Sequence, residues 1–174
     1  MRAAVTDLGP IDILVNTAGI TTPMDVASFL DADPATWTAP LELNAYGVMN
    51  CCKAVLAGMC ERGWGRIITI SSGAGTAGTR IGVTPYAAGK GAGIAFTRSL
   101  ALEVARSGVT ANTLALGLRG WGAPADEAQL ARSIPVGRLG TPADVGAACV
   151  WLASDAAAWV TAQTIELNGG AITT

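Results

Sequence analysis

The stretch Arg66-Ile67-Ile68-Thr69-Ile70-Ser71-Ser72 decides the fold of this chain, together with Tyr86-Ala87-Ala88-Gly89-Lys90 further along. The first stretch is an apolar, β-branched run that ends in two serines, which predicts a buried strand. The second lies near the start of residues 84–107, which the sequence pattern predicts to be a helix. Residues four apart share one face of a helix, so the Tyr86 phenol and the Lys90 ammonium are expected to be neighbours.

This pair is a candidate for proton transfer. A phenol has an ordinary pKa near ~10 and is a poor acid or base at neutral pH. A neighbouring ammonium favours the phenolate form. A change of about 3 units needs roughly 4 kcal/mol of differential stabilisation, so a second positive charge would be a natural helper. The spacing alone is weak evidence, because a solvated helix face gives the same pattern.

Strand-like and helix-like segments alternate along the rest of the chain, and the starts of two helices are marked by Asp33-Pro34 and by Thr141-Pro142-Ala143-Asp144. The predicted strands are 11–15, 66–70, 109–116 and 164–167, and the predicted helices are 33–62, 84–107 and 142–154. This β-α-β-α-β-α-β order predicts an α/β fold in which helices flank a parallel sheet. Asn16, Ser72 and Gly117 fall at strand ends, where such sheets form a ligand crevice.

Asn44 is a polar residue on an otherwise apolar stripe of the predicted helix 33–62. The other members of the stripe are Val48, Cys52, Val55 and Met59. Their spacing predicts which face of the helix packs against the sheet. A buried amide that is satisfied by backbone groups and a functional amide both fit the position of Asn44.

Several motifs, in this order, resemble the classical short-chain dehydrogenase/reductase family along almost the whole chain. The motifs are Asn16-Thr17-Ala18-Gly19, Asn44, Ser72, Tyr86 with Lys90, and residues 135–142, 152–155 and 167–170. Family members usually have a second asparagine where Thr17 stands, and Pro-Gly where Leu116-Gly117 stands. The resemblance implies a Rossmann-like parallel sheet with flanking helices.

The resemblance also implies an NAD(P)-dependent oxidoreductase that interconverts an alcohol and a ketone or aldehyde by hydride transfer. Ser72 would hold the substrate oxygen, and Tyr86 would be the general acid and base. Lys90 would favour the phenolate and hold the nicotinamide ribose, and Asn44 would extend a proton relay through a bound water. Ser72 lies one position further from Tyr86 than is commonest in the family, and it is preferred to Ser71 for this role.

By the same resemblance, NAD or NADP would contact a set of residues at the strand ends. These are Asn16, Ala18, Gly19, Tyr86, Lys90 and Gly117. Family members begin with a strand and a Thr-Gly-x-x-x-Gly-x-Gly turn that holds the pyrophosphate, whereas residues 1–10 resemble the tail of the third helix. The chain, 1–174, is therefore expected to be the C-terminal two-thirds of a single domain, truncated to about four strands, and to bind the dinucleotide weakly or not at all.

A second glycine motif follows Ser72. Gly73-Ala74-Gly75-Thr76-Ala77-Gly78 has the spacing G-x-G-x-x-G and comes directly after a predicted strand. A dinucleotide fingerprint must open a helix at once, and it needs an acidic residue about 20 positions later. Residues 79–85 look like a loop, and the next acidic residue is Glu103. We therefore predict that these glycines form a flexible turn rather than a phosphate cradle.

Composition indicates the class of protein and its compartment. The 174 residues are 51% hydrophobic and 14% charged, which suits one domain whose parallel sheet is buried on both faces. The net charge of -2 gives no electrostatic case for nucleic acid or an anionic membrane. No apolar run reaches the ~20 residues of a membrane span. The chain has no signal-peptide pattern and no histidine, and its four cysteines lack metal-ligand spacing, so we predict a cytoplasmic protein without a metal.

Two functions fit the sequence. The first is the oxidoreductase, acting on a small-molecule carbonyl or alcohol, with residues 118–132 as an apolar lid over the substrate. The second is a non-catalytic remnant that binds no dinucleotide. Loss of N-terminal strands would leave strand 11–15 at a sheet edge, and such edges recruit other chains. Helices 33–62 and 84–107 resemble the helices through which family members pair, so a homo-oligomer is expected.

Overall fold

The computed structural model describes residues 6–7, 9–19, 24–117 and 124–173, except for the side chains of 124–126. Strands and helices alternate along these residues, as the sequence predicts. The strands are β1 (Ile13–Asn16), β2 (Gly65–Ser72), β3 (Val109–Leu116) and β4 (Thr164–Leu167). The α-helices are α1 (Thr38–Leu41), α2 (Gly47–Arg62), α3 (Gly73–Thr76), α4 (Thr84–Val104), α5 (Pro124–Ala131) and α6 (Pro142–Ala153), with 3₁₀ turns at Pro34–Thr36, Ala105–Ser107 and Asp155–Ala157.

The four strands form one parallel sheet in the order β1-β2-β3-β4. This arrangement confirms the predicted β-α-β-α-β-α-β fold. β3 and β4 have the predicted bounds, whereas β1 is displaced toward the C-terminus from 11–15, so that Asn16 itself belongs to the strand. Because all four strands run in the same direction, their carboxyl ends lie at one edge of the sheet. The last residues of β1, β2 and β3 are Asn16, Ser72 and Leu116, and Gly117 follows β3 directly.

Helices cover both faces of the sheet. On one face, α2 and α4 pack around a core that includes Leu14, Met59, Ile67, Leu100 and Val109. On the other face, α6 contributes Leu152 to a second core that includes Ile68, Ile70, Leu114 and Leu116. Neighbouring residues of a strand point to opposite faces, which is why Ile67 and Ile68 belong to different cores. Burial on both faces accounts for the apolar character of β2 and β3.

β1 is an edge strand among the described residues, because it pairs only with β2. Leu14 is buried on the face that α2 covers, whereas Ile13, which points to the opposite face, is 45% exposed. The face that α6 covers over β2 and β3 is therefore open at Ile13, while Val15, further along β1, packs against the second core. The expected position of this strand at a sheet edge agrees with the structure.

The predicted helix 33–62 is wrong in one respect, because it is not continuous. Asp33 caps a 3₁₀ turn with its side chain, and a π-helical turn, Glu42–Tyr46, joins α1 to α2. Within that turn the Asn44 side-chain amide donates a hydrogen bond to the Pro40 carbonyl, at 2.9 Å. A side chain that takes an acceptor of the helical ladder is a recognised cause of helix distortion. Beyond the turn, the predicted stripe is buried: Val48, Cys52, Val55 and Met59.

The glycine segment 73–78 also differs from the flexible turn that the sequence predicts. Its first four residues form the helical turn α3, which begins directly after β2 and is capped by the Ser72 side chain. A Cβ on Gly75 would lie 2.9 Å from the Lys90 carbonyl carbon, and one on Gly73 would lie 2.6 Å from Ile172 Cδ1. The absence of side chains at these two glycines lets α3 pack closely against α4 and the C-terminal segment.

Two predicted segments lie partly outside the described residues. In the predicted lid, 118–132, the described part contains α5. In the predicted helix tail, 1–10, residues 6–7 are helical. No helix of the described residues is long and apolar enough to cross a membrane.

The helix α4 closely approaches α1 at one glycine and the π-helical turn at another. A Cβ on Gly89 would lie 2.6 Å from the Pro40 carbonyl oxygen, and a Cβ on Gly93 would lie 2.9 Å from the Asn44 carbonyl oxygen. Both atoms are backbone atoms, so neither can be moved without moving its helix. Glycine weakens an isolated helix, and close packing is the reason for it at these two positions. At Gly91 a Cβ would make only an ordinary contact, 3.5 Å from the nearest atom.

We predict that Gly89→Ala lowers the free energy of unfolding by about 1–3 kcal/mol, because overpacking forces backbone shifts. The matched control is Gly91→Ala on the same helix, which should leave it unchanged or raise it by up to about 1 kcal/mol through helix propensity. Urea denaturation followed by circular dichroism measures both. Equal effects of the two substitutions would contradict the close packing of α4 on α1.

Candidate active site

An open pocket of about 390 Å³ lies at the carboxyl ends of β1, β2 and β3. It is lined by Thr17, Gly19, Ile70, Ser71, Tyr86, Lys90, Leu116, Pro142, Val145 and Cys149. The polar side chains come from the loop after β1, from the end of β2 and from α4, and the apolar ones come from the strand ends and α6. The pocket therefore lies in the crevice where parallel α/β sheets bind their ligands.

Lys90 is the central charged group of this pocket. Its side chain is only 5% exposed, and its Nζ donates a hydrogen bond of 2.8 Å to the Ile70 carbonyl at the end of β2. The same Nζ lies 5.8 Å from the centroid of the Tyr86 ring. Burial of an ammonium is costly unless the charge is hydrogen-bonded or paired. The strand end thus provides an acceptor for the ammonium, and the helix places that ammonium beside the phenol, as the four-residue spacing predicts.

The Asn44 side chain and the end of the Lys90 side chain both lie close to Gly19. Its Nδ2 donates to the Gly19 carbonyl at 3.1 Å and to the Pro40 carbonyl at 2.9 Å. Its Oδ1 is buried and has no hydrogen-bond partner among the described residues. The position of a Cβ on Gly19 is 2.3 Å from Lys90 Nζ and 3.3 Å from Asn44 Oδ1, so both groups converge on this glycine. An acceptor and an ammonium are therefore assembled at the interior end of the pocket.

The two candidate serines have different hydrogen bonds. The Ser71 hydroxyl is buried and donates to the Lys90 carbonyl at 3.2 Å. The Ser72 hydroxyl oxygen accepts the Ala74 N–H at 3.2 Å, as the cap of α3. Ser71 lines the pocket. The preference for Ser72 over Ser71 stays a prediction.

The residues expected to contact a dinucleotide fall into two groups. Gly19, Tyr86 and Lys90 line the pocket, whereas three others do not: Asn16, Ala18 and Gly117. Asn16 is 9% exposed, and its amide points toward Cys52 Sγ at 3.8 Å. The Gly117 N–H donates to the Leu167 carbonyl at 3.1 Å.

The sequence did not predict that α6 would form part of the pocket. Pro142, Val145 and Cys149 lie along one side of this helix, and with Ile70 and Leu116 they form the apolar wall of the pocket. The i, i+3, i+7 spacing of Pro142, Val145 and Cys149 was a readable signal for a buried face. It did not show that the face would reach the pocket.

Thiol chemistry and metal binding have little support in the described residues. Burial raises the pKa of Cys149 above its ordinary value and raises that of Cys52 to about 11. Both thiols are therefore protonated near neutral pH, and the thiol is a poor nucleophile. No group of three metal-ligating side chains occurs among the described residues.

The G-x-G-x-x-G segment does not fit a pyrophosphate. The Ala74 N–H of α3 already donates to Ser72 Oγ, and Gly75 packs on the backbone of Lys90 and Gly91. A phosphate cradle needs unoccupied N–H groups at the start of a longer helix. The pocket at the strand ends combines an apolar wall with a buried ammonium and a phenol.

Comparison with known proteins shows the same family along the whole chain. The family model for enoyl-(acyl carrier protein) reductase matches residues 1–172. Nodulation protein G of Azospirillum brasilense is 44% identical over 169 residues, which cover 94% of this chain and 67% of that protein. The 3-oxoacyl-[acyl-carrier-protein] reductase FabG of Vibrio cholerae is 39% identical over 175 residues, covering 98% and 70%. An acetoacetyl-CoA reductase of Shinella zoogloeoides is 40% identical over 170 residues, covering 94% and 69%.

Solved structures agree with these relatives. A gluconate 5-dehydrogenase of Burkholderia cenocepacia, in complex with NADP and tartrate, superposes with a TM-score of 0.88 at 35% identity, covering 98% of this chain and 69% of that one. A 3-oxoacyl-[acyl-carrier protein] reductase of Brucella melitensis superposes with a TM-score of 0.90 at 32% identity, covering 99% and 68%. The chain thus spans about two-thirds of the length of each of these proteins. It belongs to the short-chain dehydrogenase/reductase family of oxidoreductases, as a classical member.

Proposed function

We propose that this chain carries the proton-transfer centre of an NAD(P)-dependent oxidoreductase that interconverts a carbonyl and an alcohol. One observation carries the proposal: the buried Lys90 ammonium lies 5.8 Å from the centroid of the Tyr86 ring, in a pocket at the strand ends. A fold that retains a buried ammonium beside a phenol is suited to a reaction in which negative charge develops on that phenol. Membership of an oxidoreductase family supports the same conclusion.

In this mechanism Tyr86 donates its proton to the carbonyl oxygen during reduction and takes it from the hydroxyl during oxidation. Lys90 stabilises the phenolate that proton donation leaves behind. Asn44 continues the proton path, since its Oδ1 and Lys90 Nζ converge at Gly19. Gly19, Tyr86 and Lys90 would hold the nicotinamide, which when bound would supply or accept the hydride.

We assign the substrate oxygen to Ser72. The Ser71 hydroxyl already donates to the Lys90 carbonyl, so its hydrogen is used within the protein. Ser72 Oγ accepts a backbone N–H, and this leaves its hydrogen able to point at a substrate oxygen. A hydroxyl aimed at developing charge stabilises the transition state. Ser71, which lines the pocket, is the alternative.

A 3-oxoacyl thioester is the substrate class that we propose. Two of the relatives are named for the reduction of acetoacetyl-CoA and of 3-oxoacyl groups on acyl carrier protein. The apolar wall formed by Ile70, Leu116 and Val145 suits an acyl chain next to the reacting carbonyl. Acetoacetyl-CoA is accordingly the substrate with which activity should first be measured.

Cofactor binding is proposed to involve only the nicotinamide half of NAD or NADP in this chain. Gly19, Tyr86 and Lys90 line the space for that half, and Asn16, Ala18 and Gly117 at the strand ends are proposed to support it. We interpret residues 1–174 as the C-terminal two-thirds of one domain, because about a third of each relative above has no counterpart in this chain. The phosphate contacts of helix N-termini carry much of a dinucleotide's binding energy, and the segment 73–78 does not fit that role because the Ala74 N–H donates to Ser72 Oγ.

A non-catalytic remnant is the second candidate. The observation that favours it is the open edge and face of β1, where Ile13 is 45% exposed. An unprotected apolar edge recruits other chains, so both candidates predict a homo-oligomer. We propose a cytoplasmic location for either one. Cofactor binding separates the two candidates.

In any form of the protein that reduces acetoacetyl-CoA with NADPH, Tyr86→Phe should lower kcat by about 10²–10⁴-fold. The substitution removes the transferable proton with little change in volume, so the affinity for NADPH should stay nearly the same. The matched control is Tyr46→Phe, because Tyr46 is the other tyrosine and is 63% exposed. Comparable turnover of the Tyr86 and Tyr46 variants would mean that another group is the acid.

Residues 1–174 should bind NADPH and NADH weakly, with dissociation constants above the micromolar range. The reason is that residues proposed to contact the nicotinamide are present, whereas the segment 73–78 does not fit a pyrophosphate. Titration of each nucleotide by its fluorescence measures this directly. A dissociation constant in the micromolar range or tighter would overturn the expectation. The segment 73–78 would then again be a candidate phosphate site.

A further inference from the structure

Gly19 faces the head of Lys90 at very short range. A Cβ on this glycine would lie 2.3 Å from Lys90 Nζ and 3.0 Å from Lys90 Cε. The Gly19 carbonyl accepts the Asn44 side-chain amide at 3.1 Å, which holds the loop after β1 in place. The space left by the missing side chain is therefore the space in which the ammonium lies while it donates to Ile70.

The backbone conformation of Gly19 does not require glycine. Among the described residues, eight glycines have a positive φ, and Gly19 is not one of them. An alanine could adopt its backbone conformation, so the absence of a side chain must serve the surroundings. The surroundings in question are the end of the lysine side chain and the amide oxygen of Asn44, 3.3 Å from the same point.

The contact at Gly19 differs in kind from the contact at Gly89. At Gly89 a methyl group would meet the Pro40 backbone, which cannot move without its helix. At Gly19 the same methyl group would meet the far end of a flexible side chain, which can turn away at little cost to the fold. Alanine at position 19 should therefore displace the ammonium and leave the fold intact.

We propose that Gly19 is a positioning residue for Lys90: its missing side chain keeps the ammonium on the Ile70 carbonyl and beside Tyr86. The proposal rests on the proposed function, because only that function gives the position of the ammonium a role. Gly19 acts through Lys90 and need not touch the reacting atoms. This role is distinct from the contact with a dinucleotide that the family resemblance implies for the same residue.

The lysine content of the chain allows a direct test. Only two lysines are present, Lys53 and Lys90, and Lys53 is exposed on α2. In ¹⁵N-lysine-labelled protein with Lys53→Arg, a single side-chain ammonium signal reports on Lys90. A buried, hydrogen-bonded ammonium exchanges its protons slowly with water, so this signal should be visible and shielded from exchange.

Introducing Gly19→Ala in that background should shift the Lys90 signal and speed its exchange with water. The backbone amide spectrum and the urea midpoint should stay close to those of the parent protein. The control is Gly146→Ala on α6, where a Cβ would have no atom within 4 Å, and it should leave the Lys90 signal unchanged. An unchanged Lys90 signal in folded Gly19→Ala protein would overturn the proposal.

A second comparison covers the case in which Gly19→Ala lowers stability. In a Lys90→Met background the ammonium is absent, so the effect of Gly19→Ala on the urea midpoint should become smaller if Lys90 is the group displaced. An equal loss in both backgrounds would make Gly19 a structural residue and would overturn the proposal. Neither readout depends on turnover, so a failure of the proposed oxidoreductase function would be seen separately, in the Tyr86→Phe experiment.

Discussion

The hydrogen bond from Lys90 Nζ to the Ile70 carbonyl is the interaction on which the rest of the site depends. It joins the helix α4 to the carboxyl end of β2, and it supplies an acceptor for a charge that is almost fully buried. A buried ammonium without such an acceptor would turn outward or lose its proton. Gly19 leaves room for the ammonium, and Asn44 fixes the loop that carries Gly19. The position of the Tyr86 phenol beside a positive charge follows from this arrangement.

The helices next to the Lys90 ammonium are irregular. The π-helical turn at Glu42–Tyr46 places Asn44 toward Gly19, and the glycines of α4 let that turn come within contact of the helix that carries Lys90. The glycines and the π-helical turn make both helices locally less stable than a regular α-helix. Such distortions concentrate at functional sites. The Lys90 end of the pocket is thus built from α4, the end of β2 and the π-helical turn, while the segment 73–78 is packed against α4.

Much of the fold could be predicted from the sequence, and the exceptions have a common cause. The apolar runs of β3 and β4 gave their bounds, and the capping box at Thr141 gave the start of α6, because these signals are local. The break in helix 33–62 was missed, since it arises from a side-chain bond of Asn44 and from packing on α4. The wall of the pocket formed by α6 was missed because it, too, depends on packing between elements that are distant in the sequence. The neighbourhood of Tyr86 and Lys90 was predictable from helix geometry, but the Ile70 carbonyl that holds the ammonium was not.

The central claim is that residues 1–174 assemble the Tyr86–Lys90 centre with the ammonium buried. The rates at which the two lysines react with an acetylating reagent, measured by peptide mass spectrometry, test this claim within one molecule. Lys53, which is exposed, serves as the internal reference. We expect Lys53 to be acetylated rapidly and Lys90 far more slowly, at a rate limited by local opening of the fold, and we expect the difference to disappear in denaturant. Equal rates for Lys53 and Lys90 in the folded chain would contradict the claim.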